Sequence, residues 1–252
     1  MWTFLQKSGG NLSLCVALTM IALASAGSQC SRAVNDFPDA QRTESKGTNV
    51  MTEENKIAEP AENDVEFSSK IEIGKEKLSL NFELKNNSKD DIYVLDIFPI
   101  YDLETMKPSV DLNNTVVVWD EAEGVRLIRG LPPYPKEKSM SVFYTPYSSK
   151  ISPGGTLKRN LELPLPLVEF NPYYSPLERD KYDPITVSKI KLYVHFLKSS
   201  VEGFEAKEVE FAKDVFFVKS KFLLRDIQKV YKEQSVGPVK LLKYPETFTR
   251  SL

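Results

Sequence analysis

The chain has 252 residues, of which 41% are hydrophobic and 27% are charged, and its formal net charge is −2. This length and apolar content suit one large folded body or two small ones, and they exclude a wholly disordered chain. A net charge so close to zero gives no strong field toward nucleic acid or an acidic membrane, so we expect no nucleic-acid partner.

Residues 1–29 have the three parts of a secretory signal peptide. Lys7 is their only charged residue, an apolar run extends from about Leu12 to Ala26, and small residues follow. This run is shorter than the roughly 20 residues that a helix needs to span a bilayer. We therefore expect an exported protein, with a retained signal anchor as the alternative.

Two cleavage sites compete at the end of this signal. Ala24-Ser25-Ala26 fits the small-x-small rule and would give a mature, secreted chain beginning at Gly27. The stretch that ends at Cys30 resembles the lipobox of bacterial lipoprotein precursors. That resemblance implies a lipid on the Cys30 sulfur and Cys30 as the first mature residue. Gln29 and Gly27 depart from the lipobox, which has a small residue just before the cysteine and an aliphatic residue three before it.

The cysteine count favours lipidation over plain secretion. The chain has two cysteines, and Cys15 would leave with the signal, so the mature chain would keep Cys30 without a partner. An unpaired thiol is unusual in an oxidising compartment, and a lipid on its sulfur explains it. Ser31 stands where lipoproteins retained at the inner membrane carry an aspartate. The resemblance therefore implies the outer membrane of a Gram-negative envelope.

Residues 30–69 have the composition of a disordered tether. From Ser31 to Ser69 there are nine acidic and four basic residues, and few large apolar ones. Such a segment cannot bury enough apolar surface to offset its ordering entropy. A flexible chain of this length spans on the order of 30–35 Å, enough to hold a folded body away from a membrane.

Residues 70–252 are predicted to form an all-β body, an Ig-like antiparallel β-sandwich of about eight to ten strands. Leu78, Leu80 and Phe82 alternate with polar residues, as in a half-buried strand. Similar short runs, separated by turn signals, recur with little helix between them. These runs are 92–98, 115–120, 125–130, 139–145, 156–163, 190–197 and 207–219, with a last strand through 238–244.

One segment allows two interpretations. Leu223, Ile227, Val230 and Tyr231 recur at helical spacing, and Gly237-Pro238 would end such a helix. The same stretch could equally continue a strand from residue 222.

Two turn-and-strand segments, Asn86–Val94 and Ser152–Leu163, resemble those of small bacterial Ig-like sandwiches. One group of these is a family of intracellular proteinase inhibitors with eight strands. The resemblance implies a fold, and no inhibitory loop can be mapped onto this chain. An export signal also does not fit an intracellular inhibitor. We therefore keep an exported proteinase inhibitor as one functional alternative.

The sequence carries few signals for catalysis. Its single histidine, His195, lies in the middle of a predicted strand, and we expect it to be a surface or interface residue. Nucleotide-binding glycine loops are absent, and we expect no catalytic residue, metal or cofactor. Trp119 and Asp120 beside a hairpin turn support another functional alternative, a carbohydrate-binding or carboxylate-based glycoside-processing protein. Strand alternation would point their side chains to opposite faces.

Two proline-rich loops give the candidate binding surface. Proline limits the entropy lost on binding, and tyrosine offers broad contact area with a polar group. The aromatic residues proposed for binding are Tyr134, Tyr144, Tyr147, Phe170, Tyr173, Tyr174 and Tyr182. The alternative is that these rings pack against the sandwich. We expect a non-catalytic binding module of the cell envelope, with another envelope protein as its partner and with its oligomeric state left open.

Overall fold

The computed structural model describes residues 64–101, 105, 107–135 and 144–246. The signal peptide, Cys30 and nearly all of the tether lie outside these residues, as does most of the strand predicted over 139–145. No helix among the described residues is long and apolar enough to cross a membrane.

The described strands are β1 (Val65–Ile73), β2 (Lys77–Asn86), β3 (Ile92–Tyr101), β4 (Pro108–Asp111), β5 (Val116–Asp120), β6 (Gly124–Arg129), β7 (Tyr147–Ile151), β8 (Thr156–Pro164), β9 (Leu167–Val168), β10 (Asp183–Lys198), β11 (Glu205–Glu208), β12 (Val215–Lys219) and β13 (Gln228–Lys243). A 3₁₀ turn spans Arg179–Lys181, and one short helix, α1, spans Leu223–Asp226.

The protein is an all-β sandwich of two sheets. The smaller sheet has the order β1-β2-β8. The larger sheet has the order β11-β12-β7-β3-β10-β13-β9, with β6 beside β10, β5 beside β6 and β4 beside β3. Strands β6 and β9 pair in parallel with β10 and β13, so the prediction of antiparallel pairing was wrong at these two places. In each parallel pair the two strands are far apart in sequence, because a parallel neighbour needs a long crossover connection.

The main core lies between the two sheets. In β2, Leu78, Leu80 and Phe82 alternate with half-buried polar residues and contribute to one cluster. The opposing β10 contributes Ile190 and Leu192 to the same cluster. The predicted alternation of β2 is therefore the source of its buried face.

The larger sheet also buries residues on its other face. Tyr93, Leu197 and Ile227 belong to a second cluster that packs against Leu223 of α1. A third cluster contains Phe98 and Tyr193. Strand β10 is thus covered on both faces along its second half, which is why its burial there does not alternate.

Two boundaries differ from the sequence prediction. Strand β1 begins at Val65, inside the segment assigned to the tether, because Val65 and Phe67 pack against the core while Glu66 is exposed. The helix ends at Asp226, and Val230 lies in β13 opposite Val194 of β10. Pairing with β10 and contact with the main core outweigh the helical spacing of this stretch. The strand predicted through 238–244 is confirmed as the second half of β13.

The two sheets are joined by polar contacts on both sides of the core. On one side the Gln234 amide takes the place of a neighbouring strand for Ile71: its Nε2 donates to the Ile71 carbonyl at 2.7 Å and its Oε1 accepts from the Ile71 N–H at 3.0 Å. On the other side Arg159 of β8 donates from Nε to Asp96 Oδ2 of β3 at 2.6 Å. Asp96 is fully buried, so its carboxylate depends on this partner.

Candidate functional site

The two proline-rich loops are held together by a buried asparagine. Asn171 is 5% exposed, and its Nδ2 donates to the carbonyl of Pro133 at 2.9 Å. Its Oδ1 accepts from the backbone N–H of Tyr173 at 3.1 Å. One side chain therefore fixes residues of both loops, 131–135 and 169–182, in one arrangement.

The first loop is also fixed to the sheet by His195. The backbone N–H of Leu131 donates to His195 Nδ1 at 3.1 Å, so the ring proton is on Nε2. Burial, with a smaller contribution from Lys229, lowers the pKa of His195 to about 3. Gly130 lies against the ring, and a Cβ there would come within 2.4 Å of the imidazole. The expectation of a surface histidine was wrong, because β10 is covered on both faces and His195 is 4% exposed.

Three of the predicted aromatic residues form one connected group, here called the tyrosine platform: Tyr134, Tyr144 and Tyr173. The rings of Tyr134 and Tyr173 meet edge to face at 5.8 Å. The Tyr173 hydroxyl accepts from the backbone N–H of Tyr144 at 2.9 Å, and the Tyr144 ring stacks on Phe98 at 6.1 Å. Burial raises the pKa of Tyr173. All three residues of the platform are half-buried, so each remains partly accessible.

Tyr174 and Tyr182 form a second group around Tyr244. Their rings lie 5.5 Å and 5.3 Å from that of Tyr244, and Tyr182 is buried. The Glu169 carboxylate supports this group, because it accepts from the backbone N–H groups of Tyr244 at 2.8 Å and Trp119 at 2.9 Å. Burial raises the pKa of Glu169, although these two hydrogen bonds act in the opposite direction. No sequence pattern singled out Tyr244.

Phe170 and Tyr147 make different contacts. Phe170 pairs through its backbone with Val117 and lines a shallow groove of about 270 Å³ beside β8 and β9. The Tyr147 ring meets Phe211 at 5.8 Å, on the β7 side of the larger sheet. The predicted binding residues are therefore divided among several places on the body.

The side chains of Trp119 and Asp120 make contacts in different places. Trp119 packs against the main core. Asp120 Oδ1 accepts from the backbone N–H groups of Ala122 and Glu123, at 2.9 Å and 3.0 Å, and so closes the hairpin turn. Their separation matches the strand alternation expected from the sequence.

A buried charged network was not anticipated from the sequence. Arg129 is fully buried and donates to the backbone carbonyls of Asp96, Asn114 and Leu112. Burial lowers the pKa of Arg129 to about 10, and the Asp96 charge acts against that shift. Arg129 therefore fixes the connection between β4 and β5 to strand β3. The sequence of β6 carries no pattern showing that both of its faces are buried, and Arg129 was therefore not recognised as a buried residue.

Within the described ranges, no group of three or more His, Cys, Asp or Glu side chains is placed to hold a metal ion. Comparison with protein-family models, curated proteins and solved structures found no match to this chain.

Proposed function

We propose that this protein is an exported, lipid-anchored protein of the cell envelope, and that its β-sandwich is a non-catalytic binding module. The partner is another envelope protein, and the tyrosine platform is the surface that contacts it. The observation that carries this proposal is the fixed arrangement of the two proline-rich loops by Asn171 and His195.

A fixed loop surface favours binding because little conformational entropy remains to be lost. Pro132 and Pro133 restrict the backbone, and Asn171 ties that backbone to the second loop. The ring of Tyr134 is held against Tyr173 and remains partly accessible. Tyrosine rings presented in this way are enriched in protein interfaces.

The contacts of the buried titratable groups support a binding role over a catalytic one. His195 is neutral and accepts a backbone N–H, and Glu169 accepts two more. Asp96 is engaged by Arg159 and by Ser149, whose Oγ donates to Asp96 Oδ1 at 2.8 Å. Each of these groups is engaged in hydrogen bonds within the fold.

The lipid anchor is tested by the mature N-terminus. We expect the mass of the purified protein to match a chain that begins at Cys30 and carries acyl groups on that cysteine, and the protein to partition into a detergent phase. A Cys30→Ser variant should move to the aqueous phase. An unmodified chain that begins at Gly27 and stays in the aqueous phase would refute the anchor.

The binding surface is tested by photo-crosslinking in cells. A photoreactive residue at position 134 replaces Tyr134, and the control carries it at position 72, where Glu72 is exposed on the smaller sheet. We expect one envelope protein to be captured at position 134 and not at position 72. Equal capture at both positions, or capture at neither, would contradict the proposal.

A further inference from the structure

The two sheets differ in width, and this difference leaves a step beside β8. Strand β8 is the last strand of the three-stranded sheet. Beneath it, the larger sheet continues from β7 to β12 and then to β11. Arg159 marks the position of the step, since it reaches down from β8 and donates from Nη2 to Ser149 Oγ of β7 at 2.6 Å.

The floor of the step carries two exposed aromatic rings, with Lys207 paired beside Phe217 and Glu210 lining the same cavity. Ser149 pairs with Val215 of β12, and directly paired residues share a face of the sheet. Phe217 lies two residues further along β12, on that same face, and is 44% exposed. Phe211, at 40% exposure, lies beside it against Tyr147. Phe211 and Phe217 line a shallow cavity of about 230 Å³.

The wall of the step is the edge of β8. Among the described residues, β2 is the only strand with which β8 pairs. The N–H of Leu165 donates to the Glu76 carbonyl at 2.8 Å, which continues the register in which Leu163 opposes Leu78. Odd-numbered residues of β8 therefore bond to β2.

The even-numbered residues Lys158, Asn160 and Glu162 consequently direct their backbone N–H and C=O groups away from β2. All three residues are exposed. The opposite edge of this sheet differs, because the Gln234 amide covers Ile71 of β1. A row of outward backbone groups is a template for another strand.

We propose that the β8 edge binds an extended peptide segment of a partner protein by β-strand addition. The added strand would lie about 4.8 Å from β8 and about 10 Å above β12, which are the ordinary spacings within and between packed sheets. Its inward residues are apolar and contact Phe211 and Phe217. Its outward residues place an acidic group beside Lys158, which also pairs with Glu83 at 3.0 Å, and a basic group beside Glu162, which also pairs with Lys77.

A lone strand fits this position better than a second copy of the protein. Pairing of β8 with β8 of another copy would bring that copy's larger sheet into the space that β12 and β11 already occupy. A single peptide covers the aromatic floor without that overlap. None of the three residues of the tyrosine platform belongs to the β8 edge or lines the cavity at its floor, so the inference does not depend on the function proposed above.

The test is selection of peptides from a random twelve-residue display library on the mature chain. We expect enriched peptides with apolar residues at alternate positions. Asn160→Pro removes one outward N–H and leaves the bonds to β2 intact, so it should weaken binding of a selected synthetic peptide at least tenfold. The matched control Asn160→Thr keeps that N–H and should bind within about threefold of the parent.

Two further measurements keep the outcome clear if Asn160→Pro disturbs folding. Phe217→Ser removes part of the floor without touching β8 and should also weaken binding at least tenfold. Bound peptide should slow hydrogen exchange at the N–H groups of Lys158, Asn160 and Glu162. Equal binding to parent and Asn160→Pro, a failure to enrich alternating peptides, or self-association of the parent through β8 would overturn the inference.

Discussion

Lowering the pH should destabilise the protein through its single histidine. His195 is buried and neutral in the folded chain, with a pKa of about 3. In the unfolded chain its pKa is about 6.5. The folded pKa is depressed, so the stability that depends on neutral His195 is present above about pH 6.5. It is lost as the pH falls from that value toward about 3.

The magnitude follows from these two pKa values. Between pH 7.5 and pH 5.0 the unfolded imidazole becomes charged, whereas the folded one stays neutral. The free energy of unfolding should therefore fall by about 2 kcal/mol over this interval. No other histidine contributes, because the chain contains only one. Burial raises the pKa of Glu169, which acts in the opposite direction and must be separated by a control variant.

The assay is urea unfolding at pH 7.5 and pH 5.0, followed by tryptophan fluorescence. The control variant is His195→Asn, whose amide oxygen can accept the Leu131 N–H in place of Nδ1 but does not titrate. This variant should be less stable than the parent at pH 7.5. The decrease of about 2 kcal/mol between the two pH values should be absent from it.

Two results would refute this reasoning. One is a parent protein whose stability does not change between pH 7.5 and pH 5.0. The other is a His195→Asn variant that loses as much stability as the parent over that interval. An NMR titration provides a direct check, since the His195 ring of the folded protein should show no protonation down to pH 5.

The remaining predictions concern stability measured by urea unfolding at pH 7.5. Gly130→Ala should lower the free energy of unfolding by about 2–3 kcal/mol, because its Cβ would overlap the buried imidazole. Nothing lies within 4 Å of a Cβ added at Gly237, so the control Gly237→Ala should stay within about 0.5 kcal/mol of the parent. Equal effects of the two variants would disprove the close approach at Gly130. Asp96→Asn should cost about 3 kcal/mol or more, because Arg159 loses the charge that compensates it, and a loss below about 1 kcal/mol would show that this ion pair is dispensable. Glu169→Gln should cost about 1–3 kcal/mol, since one amide oxygen cannot accept both backbone N–H groups, and unchanged stability would argue against the double contact.

The candidate site was only partly predictable from the sequence. The proline-rich loops and their tyrosines are visible as composition, and both loops lie beside each other in the fold. Which rings meet was not predictable, because it depends on the hydrogen bonds of Asn171 and on which strands are neighbours in the sheet. Tyr134 and Tyr173 are 39 residues apart in number, and only tertiary packing brings their rings to 5.8 Å.

Strands with one buried face were predictable from local patterns of residues. In β2, alternation from Leu78 to Leu84 fixes the inward side chains, because successive residues of a strand point to opposite faces. The turn at Pro153-Gly154-Gly155 likewise separates β7 from β8. These are local properties, and they lie within a few neighbouring residues.

Other properties of the fold depend on neighbours that are distant in the chain. His195 is buried because loops and α1 cover the outer face of β10, and Val230 is in a strand because Val194 lies opposite it. Within the described ranges β8 pairs with β2 alone, and this edge position follows from the order of the three-stranded sheet. Burial of a second face, strand pairing and exposed edges are set by contacts between segments far apart in the chain, and a two-residue period carries no information about them.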